Sequence, residues 1–185
     1  MIKLETALLV LRNFAQEDWR PLQEMIVQYM SSSYAIYDHP WPTSDEEIQK
    51  VCSWFAGEDQ YLAVCLKEDG RFIGYVCLNP TDDAGVYNIG YCFNFNEHGK
   101  GYAFEACRAM VTHAFHELNA VQIVTGTAVD NHPSCKLLHR LGMNIVLESS
   151  GFFYKDEKGN PIEFTGYQFE LTREAAFRTD IYAIK

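Results

Sequence analysis

Apolar positions along this chain of 185 residues change period several times, and each change marks an element. In the middle, Ala103, Ala106, Cys107, Met110, Val111, Ala114 and Leu118 recur at the i, i+3, i+4 spacing of one helix face. That pattern predicts a helix to about Glu117. Upstream, Val86 to Phe95 alternates as a strand does, with Tyr87, Ile89, Tyr91, Phe93 and Phe95 on one face. Between strand and helix lies Glu97-His98-Gly99-Lys100-Gly101-Tyr102-Ala103. Toward the N-terminus, Leu8 to Leu11 is a short strand followed by Arg12. Gln16-Glu17-Asp18 starts a helix buried through Leu22, Met25, Ile26 and Tyr29, with Pro21 in its first turns. Residues 31–42 form a loop holding Tyr34, Tyr37, Asp38, His39 and a Pro-Trp-Pro. Ser44 and Glu47 match a capping box ahead of Ile48, Val51, Cys52 and Phe55. Tyr61 to Leu66 and Phe72 to Leu78 flank Gly70 as a hairpin, and Asn79 to Gly85 makes a second turn.

Beyond the central helix, Val121 to Val129 is a β-branched strand, and Pro133 opens a short helix stopped by Gly142. Ser134, Leu137, Leu138 and Leu141 share one face of that helix. Asn144 to Leu171 reads as two strands joined around Asp156 to Pro161, and a polar tail with helical character follows. The fold class is mixed α/β: antiparallel hairpins before the central helix and a parallel strand pair across it. Where such a pair splays, edge groups are left for a ligand backbone to complete the ladder. No repeat or linker divides the chain, so residues 1–185 read as a single domain.

Composition narrows the function classes. Apolar residues make up 48% and charged residues 22%, ordinary for a globular chain. A net charge of −10 argues against a nucleic-acid partner and is compatible with an amine-bearing one, though acidity also serves solubility. The 6 cysteines are scattered with no C-x-x-C pair, which points to reduced thiols, and neither a signal segment nor a membrane-length apolar run is seen. A cytoplasmic location with no membrane contact is expected. His39, His113, His116, His132 and His139 show no metal spacing, so no metal is expected.

Strand, glycine turn and helix start together form an anion cradle: the first helical N–H groups lack internal partners, and glycine lets a phosphate approach. A plain strand-to-helix turn that needs glycine accounts for the spacing equally well. No G-x-G-x-x-G is present, and Gly99-Lys100 is not followed by the Ser or Thr of a P-loop.

His98-Gly-Lys-Gly101-Tyr-Ala103 resembles the pyrophosphate loop Q/R-x-x-G-x-G/A of the GNAT N-acetyltransferase superfamily, with His98 where Gln or Arg is usual. Tyr91-Cys-Phe93 ahead of it, Glu105-Ala106 after it and Leu11-Arg12 near the N-terminus are similar to the RimJ/RimL-like branch. Asn131-His-Pro-Ser134, then Leu137 and Leu141-Gly142-Met143, resembles the second family signature, N-x-x-S/A…L-G-F/M. The resemblance implies the GNAT fold, a mostly antiparallel mixed sheet with a splayed parallel pair flanked by helices. It implies acetyl-CoA as co-substrate, with Cys92, Phe93, His98, Gly99, Lys100, Gly101, Tyr102, Ala103 and Asn131 around it. The reaction would carry acetyl to a primary amine of a small molecule or a protein N-terminus, by direct attack in a ternary complex. A homodimer is left open.

The tyrosine that many members use as general acid is absent at Leu138. The branch's serine is matched by Ser134, which could protonate or hydrogen-bond the departing CoA thiolate. Backbone N–H groups near Cys92-Phe93 are the candidate oxyanion donors. Glu163 stands where the branch often has an Asp and joins Ser134 as a catalytic candidate; Glu105 and Glu148 are weaker ones. Tyr34, Tyr37 and Trp41, with Trp54, lie in the region that shapes the acceptor pocket in relatives. Each role has a structural counterpart: Asn131 as a helix cap, Ser134 as a helix-start serine, Glu163 as a strand-end carboxylate, Glu105 as a charge on the helix dipole, the aromatics as core. Two rival functions stay open: a non-catalytic CoA-binding sensor or partner module, and a cysteine acyl relay through Cys92 or Cys135.

Overall fold

The structure, a computed structural model, describes residues 2–182. Eight strands form one sheet: β1 (Lys3–Glu5), β2 (Leu9–Asn13), β3 (Tyr61–Leu66), β4 (Phe72–Pro80), β5 (Val86–Phe93), β6 (Gln122–Ala128), β7 (Asn144–Gly151) and β8 (Phe164–Thr172), in the order β1-β2-β3-β4-β5-β6-β8-β7. Every neighbouring pair is antiparallel except β5 and β6. Helices α1 (Trp19–Met30) and α2 (Asp45–Gly57) join β2 to β3. Helix α3 (Tyr102–His116) joins β5 to β6, α4 (His132–Arg140) joins β6 to β7, and α5 (Arg173–Phe177) follows β8. This is the mixed α/β class expected from the sequence, mostly antiparallel with one parallel pair. Among the described residues no helix is long and apolar enough to cross a membrane.

Strand alternation divides the core between the two faces of the sheet. Leu62, Val64, Ile73, Val76 and Ile89 pack with Ala106, Cys107, Met110 and Val111 of α3. On the other face Ala63, Tyr75 and Cys77 meet Leu22, Met25 and Ile26 of α1 and Ile48, Cys52 and Phe55 of α2. β3 and β4 are covered on both faces, which is why their sequences read as nearly unbroken apolar runs. β7, the far edge strand, exposes Ile145, Val146 and Leu147.

The main differences from sequence expectation are local. β5 ends at Phe93, and Phe95 lies in a 3₁₀ turn, Phe95–Glu97, instead of continuing the strand. The short β1 was not anticipated, and the helical tail is α5 plus a 3₁₀ turn, its residues 183–185 falling outside the described residues. The Ser44 hydroxyl donates to the Glu47 carboxylate at 2.5 Å and makes no bond to the helix backbone, so the capping box is not formed. Pro133 occupies the second position of α4, behind His132.

Arg12 explains how the first helix is held to the sheet. Its two terminal nitrogens donate to Asp18 at 2.7 and 2.8 Å, and the Asp18 carboxylate also accepts the Ala15 N–H at 2.8 Å. Asp18 is buried, whereas the Arg12 side chain is 34% exposed. Asp18→Ala should therefore cost about 2–3 kcal/mol, less than breaking a fully buried pair, because water can take over part of the guanidinium. Urea unfolding checks this, and a midpoint unchanged from wild type would contradict it.

Candidate active site

The site begins where β5 and β6 part. Only Val86↔Gln122, Tyr87↔Ile123 and Asn88↔Val124 are paired, and the next link is a side chain: Thr125 Oγ1 donates to the Ile89 carbonyl at 2.8 Å. Past that point β5 keeps its ladder with β4 to Phe93, and β6 keeps its ladder with β8 to Ala128. The inner edges from Gly90 and from Gly126 diverge into a cleft of about 1000 Å³. Asn94, paired with Ile73 through its N–H, sets the register, so Cys92 turns its backbone toward Tyr75 of β4. Strand alternation leaves the backbone groups of Tyr91 and Phe93 facing the gap. Of the donors expected near Cys92-Phe93, Phe93 therefore faces the gap, Cys92 does not, and Tyr91 joins Phe93 there.

At the upper end of the cleft, Gly99 and Gly101 have φ of 77° and 88°, a left-handed conformation that side chains rarely adopt. A Cβ at either would meet no atom within 4 Å, so the space beside the loop is open there. Gly101 is the N-cap of α3, and Glu105 N–H to Gly101 O is the helix's first bond. The amides from Gly99 to Phe104 find no acceptor among the described residues. Tyr102 and Ala103 line the cleft while packing against the core beneath.

The loop is anchored from below by a residue the sequence did not single out. Glu97 is 7% exposed; it accepts from Arg71 Nη1 at 2.7 Å and from Lys100 Nζ at 2.9 Å. Lys100 is thus tied down at its own loop. His98, at the first motif position, places its Nε2 3.1 Å from the Phe93 carbonyl and packs its ring on Phe95. Its role in the structure is to close the end of β5.

Across the gap, α4 presents Ser134. Its Oγ lies 2.7 Å from the Tyr91 hydroxyl, a pairing between residues 43 positions apart. Burial pushes the Tyr91 phenol well above its usual pKa, so it keeps its proton at neutral pH. The Asn131 side chain accepts the Ser134 N–H at 3.3 Å, which realises the capping role expected for it, while its residue also lines the cleft. Leu138 is fully buried in the core and does not line the cleft, so a tyrosine there would not reach it without repacking. Lys136 and Arg140 stand at the mouth, the Arg140 guanidinium 3.9 Å from the centre of the Phe104 ring.

Tyr34, Tyr37 and Trp41 line the opposite half of the cleft. Trp54 does not: it is 53% exposed and rests against Phe55 and Tyr61 on α2's outer side. Glu163 is also elsewhere. It is exposed just before β8 and forms no part of the cleft wall, so the structure does not bring it to Ser134. Glu105 Oε1 accepts the Leu8 N–H at 2.7 Å and ties α3 to the start of β2. Neither Cys92 nor Cys135 is set up as a nucleophile. Burial pushes the Cys92 thiol up to about 12, and Cys135, raised by the same cause, has its sulfur near the Ala128 and Val129 carbonyls.

Comparisons with known proteins show the family and the fold. Residues 9–144 match the family model described as Acetyltransferase (GNAT) domain. The chain belongs to the GNAT acetyltransferase family. It is 29% identical over 160 residues to a protein named Uncharacterized N-acetyltransferase YnaD from Bacillus subtilis (strain 168), covering 85% of this chain and 89% of that one. A solved GNAT-family acetyltransferase from Bacillus anthracis superposes with a TM-score of 0.79 at 22% identity, covering 94% of this chain and 99% of that one. A Mycobacterium smegmatis RimJ, solved in complex with CoA-disulfide, gives a TM-score of 0.71 at 18% identity, covering 92% and 87%.

The anchor beneath the loop has a pH signature. Arg71 first, then Lys100, hold the Glu97 carboxyl below its ordinary 4.5. A lowered folded value contributes stability that is present above the unfolded pKa and lost as pH falls through the folded one. The stability difference between wild type and Glu97→Gln should therefore hold steady from neutral pH to about 5 and shrink on further acidification. Urea titrations at stepped pH test this; a difference that does not change with acidification would contradict the anchor.

Proposed function

We propose that the chain transfers acetyl from acetyl-CoA to a primary amine by direct attack in a ternary complex. The observation that carries the reading is the union of a splayed β5–β6 edge with the left-handed Gly99 and Gly101 ahead of α3. The site fits the CoA moiety: free amides and open space at the loop suit a pyrophosphate, the Tyr91 edge suits an amide-bearing arm, and Lys136 and Arg140 add positive charge at the mouth. When bound, acetyl-CoA supplies the acetyl thioester. The Tyr91 N–H is placed to polarise its carbonyl oxygen.

Ser134 serves as the proton source for the leaving sulfur, with Tyr91 behind it. With the protonated phenol as donor to Ser134 Oγ, the serine hydrogen is free to face the gap. The free amine reaches the thioester from the half of the cleft lined by Tyr34, Tyr37 and Trp41. No residue of the cleft wall is assigned as base; the amine's proton leaves through water. A CoA sensor without turnover is the weaker reading, since a hydroxyl pair set at the gap has no task in it. Self-association through the exposed apolar stretch of β7 is compatible with this arrangement.

Gly101→Glu should abolish CoA binding by calorimetry, since it puts bulk and like charge at the cradle; left-handed strain adds only about 1–2 kcal/mol against the fold. Unchanged CoA affinity in a folded variant would remove the reading. Ser134→Ala should lower kcat at least tenfold, general-acid help being worth roughly 10²–10⁴, while CoA affinity stays near wild type. Tyr91→Phe should lower kcat less than Ser134→Ala does. Near-normal kcat for Ser134→Ala under rate-limiting chemistry would reduce Ser134 to a helix-start group.

A further inference from the structure

The acceptor half of the cleft is walled by rings and, among the described residues, holds a single uncommitted negative charge. Its roof is made where the loop after α1 meets the β7–β8 loop: His39 against Phe153 at 4.4 Å, Tyr37 against Phe164 at 5.5 Å, and Phe153 stacked on Phe164 at 5.7 Å. Two carboxylates line the cleft among the described residues, Glu97 and Asp38. Glu97 has both oxygens taken by Arg71 and Lys100. Asp38 accepts only neutral donors, the His39 N–H at 2.7 Å and the Trp41 indole N–H at 3.3 Å, which orient it and leave lone pairs unused. Its charge reaches Cys92 of β5, where after burial it is the next cause that disfavours the thiolate. Asp38 and Cys92 of β5 both line the cleft.

A carboxylate of this kind recognises a cation, and the surrounding rings add cation–π attraction and apolar contact. We infer that Asp38 is the specificity-determining residue for the acceptor: it receives the ammonium of a monoamine with an apolar or aromatic body, and that nitrogen gives one proton to water before its lone pair attacks the thioester carbon. This rests on the acetyl-transfer reading of the cleft. A polyamine would need a second free anion, and the cleft wall supplies none among the described residues. The basic residues Lys136 and Arg140 belong to α4 at the other side, so the cleft is polarised with Asp38 opposite them. The sequence carries no local sign of this role, because Asp38 acquires it only when its loop folds over β5.

The test uses the full chain and phenethylammonium chloride, with spermidine and a short peptide with a free N-terminus as competing acceptors. In acetylation assays phenethylamine should have at least tenfold higher kcat/KM than either. By calorimetry on the chain without CoA, Asp38→Asn should weaken phenethylammonium binding about 10- to 100-fold, the usual weight of a charge-assisted bond. CoA affinity should be unchanged, which also reports that the variant is folded. If wild type binds CoA and the variant holds the amine as tightly as wild type does, the inference falls and acetyl transfer stands. A preference for spermidine or for the peptide overturns the monoamine class. If wild type binds no CoA, the acetyl-transfer reading falls, and the amine calorimetry still decides whether Asp38 binds an ammonium.

Discussion

Three residue pairs hold β5 beside β6, and then the two strands separate. A gap inside a sheet leaves backbone donors and acceptors without partners, a cost that folded chains otherwise avoid. Here each diverging strand is secured on its outer edge, β5 by β4 and β6 by β8, so the sheet stays continuous around the opening. Two of the exposed carbonyls are taken by side chains, Ile89 by Thr125 and Phe93 by His98. Tyr91 is left between them with its backbone facing the cleft. The opening is therefore a shaped edge, with the Tyr91 backbone and the Phe93 N–H facing an incoming partner.

Charge follows the same division. The chain carries a net −10, yet the cleft wall near α3 and α4 has free amides, Lys136 and Arg140, and the far wall has Asp38 among rings. Lys100 contributes less than its place in the motif suggests, because Glu97 holds it. That buried carboxylate instead sets the loop's position by joining it to Arg71, in the β3–β4 turn just before β4. A cradle of backbone amides depends on such anchoring, since its donors are useful only when they converge.

Much of this was legible in the sequence, and what was missed has a common cause. The period of Ala103, Ala106, Cys107, Met110, Val111, Ala114 and Leu118 marked α3; the middle five are buried as that spacing requires, Ala103 is half-buried, and Leu118 is exposed beyond the helix end at His116. The glycine loop, the Asn131 cap and the place of the aromatic loop were also readable, because each depends on neighbours a few residues away. The Tyr91–Ser134 bond joins positions 43 apart and appears only when α4 packs over the gap. Glu163 was placed by motif spacing, but the turn around Asp156 sets where β8 begins and leaves that carboxylate in solvent. Trp54 looked like a companion of Trp41, yet helical phase turns it outward, against Tyr61. The Ser44–Glu47 pattern produced a side-chain pair where a backbone cap was expected.

The central claim is that backbone amides at the loop and along the gap receive CoA. Titrating CoA into ¹⁵N-labelled protein and following amide resonances tests it at the groups concerned. The account predicts that Gly99, Lys100, Gly101, Tyr102, Ala103, Phe104 and Tyr91 shift most and gain protection from hydrogen exchange, while the amides of β7 and β8 change little. Saturable shifts centred elsewhere, with the amides from Gly99 to Phe104 unmoved, would contradict it.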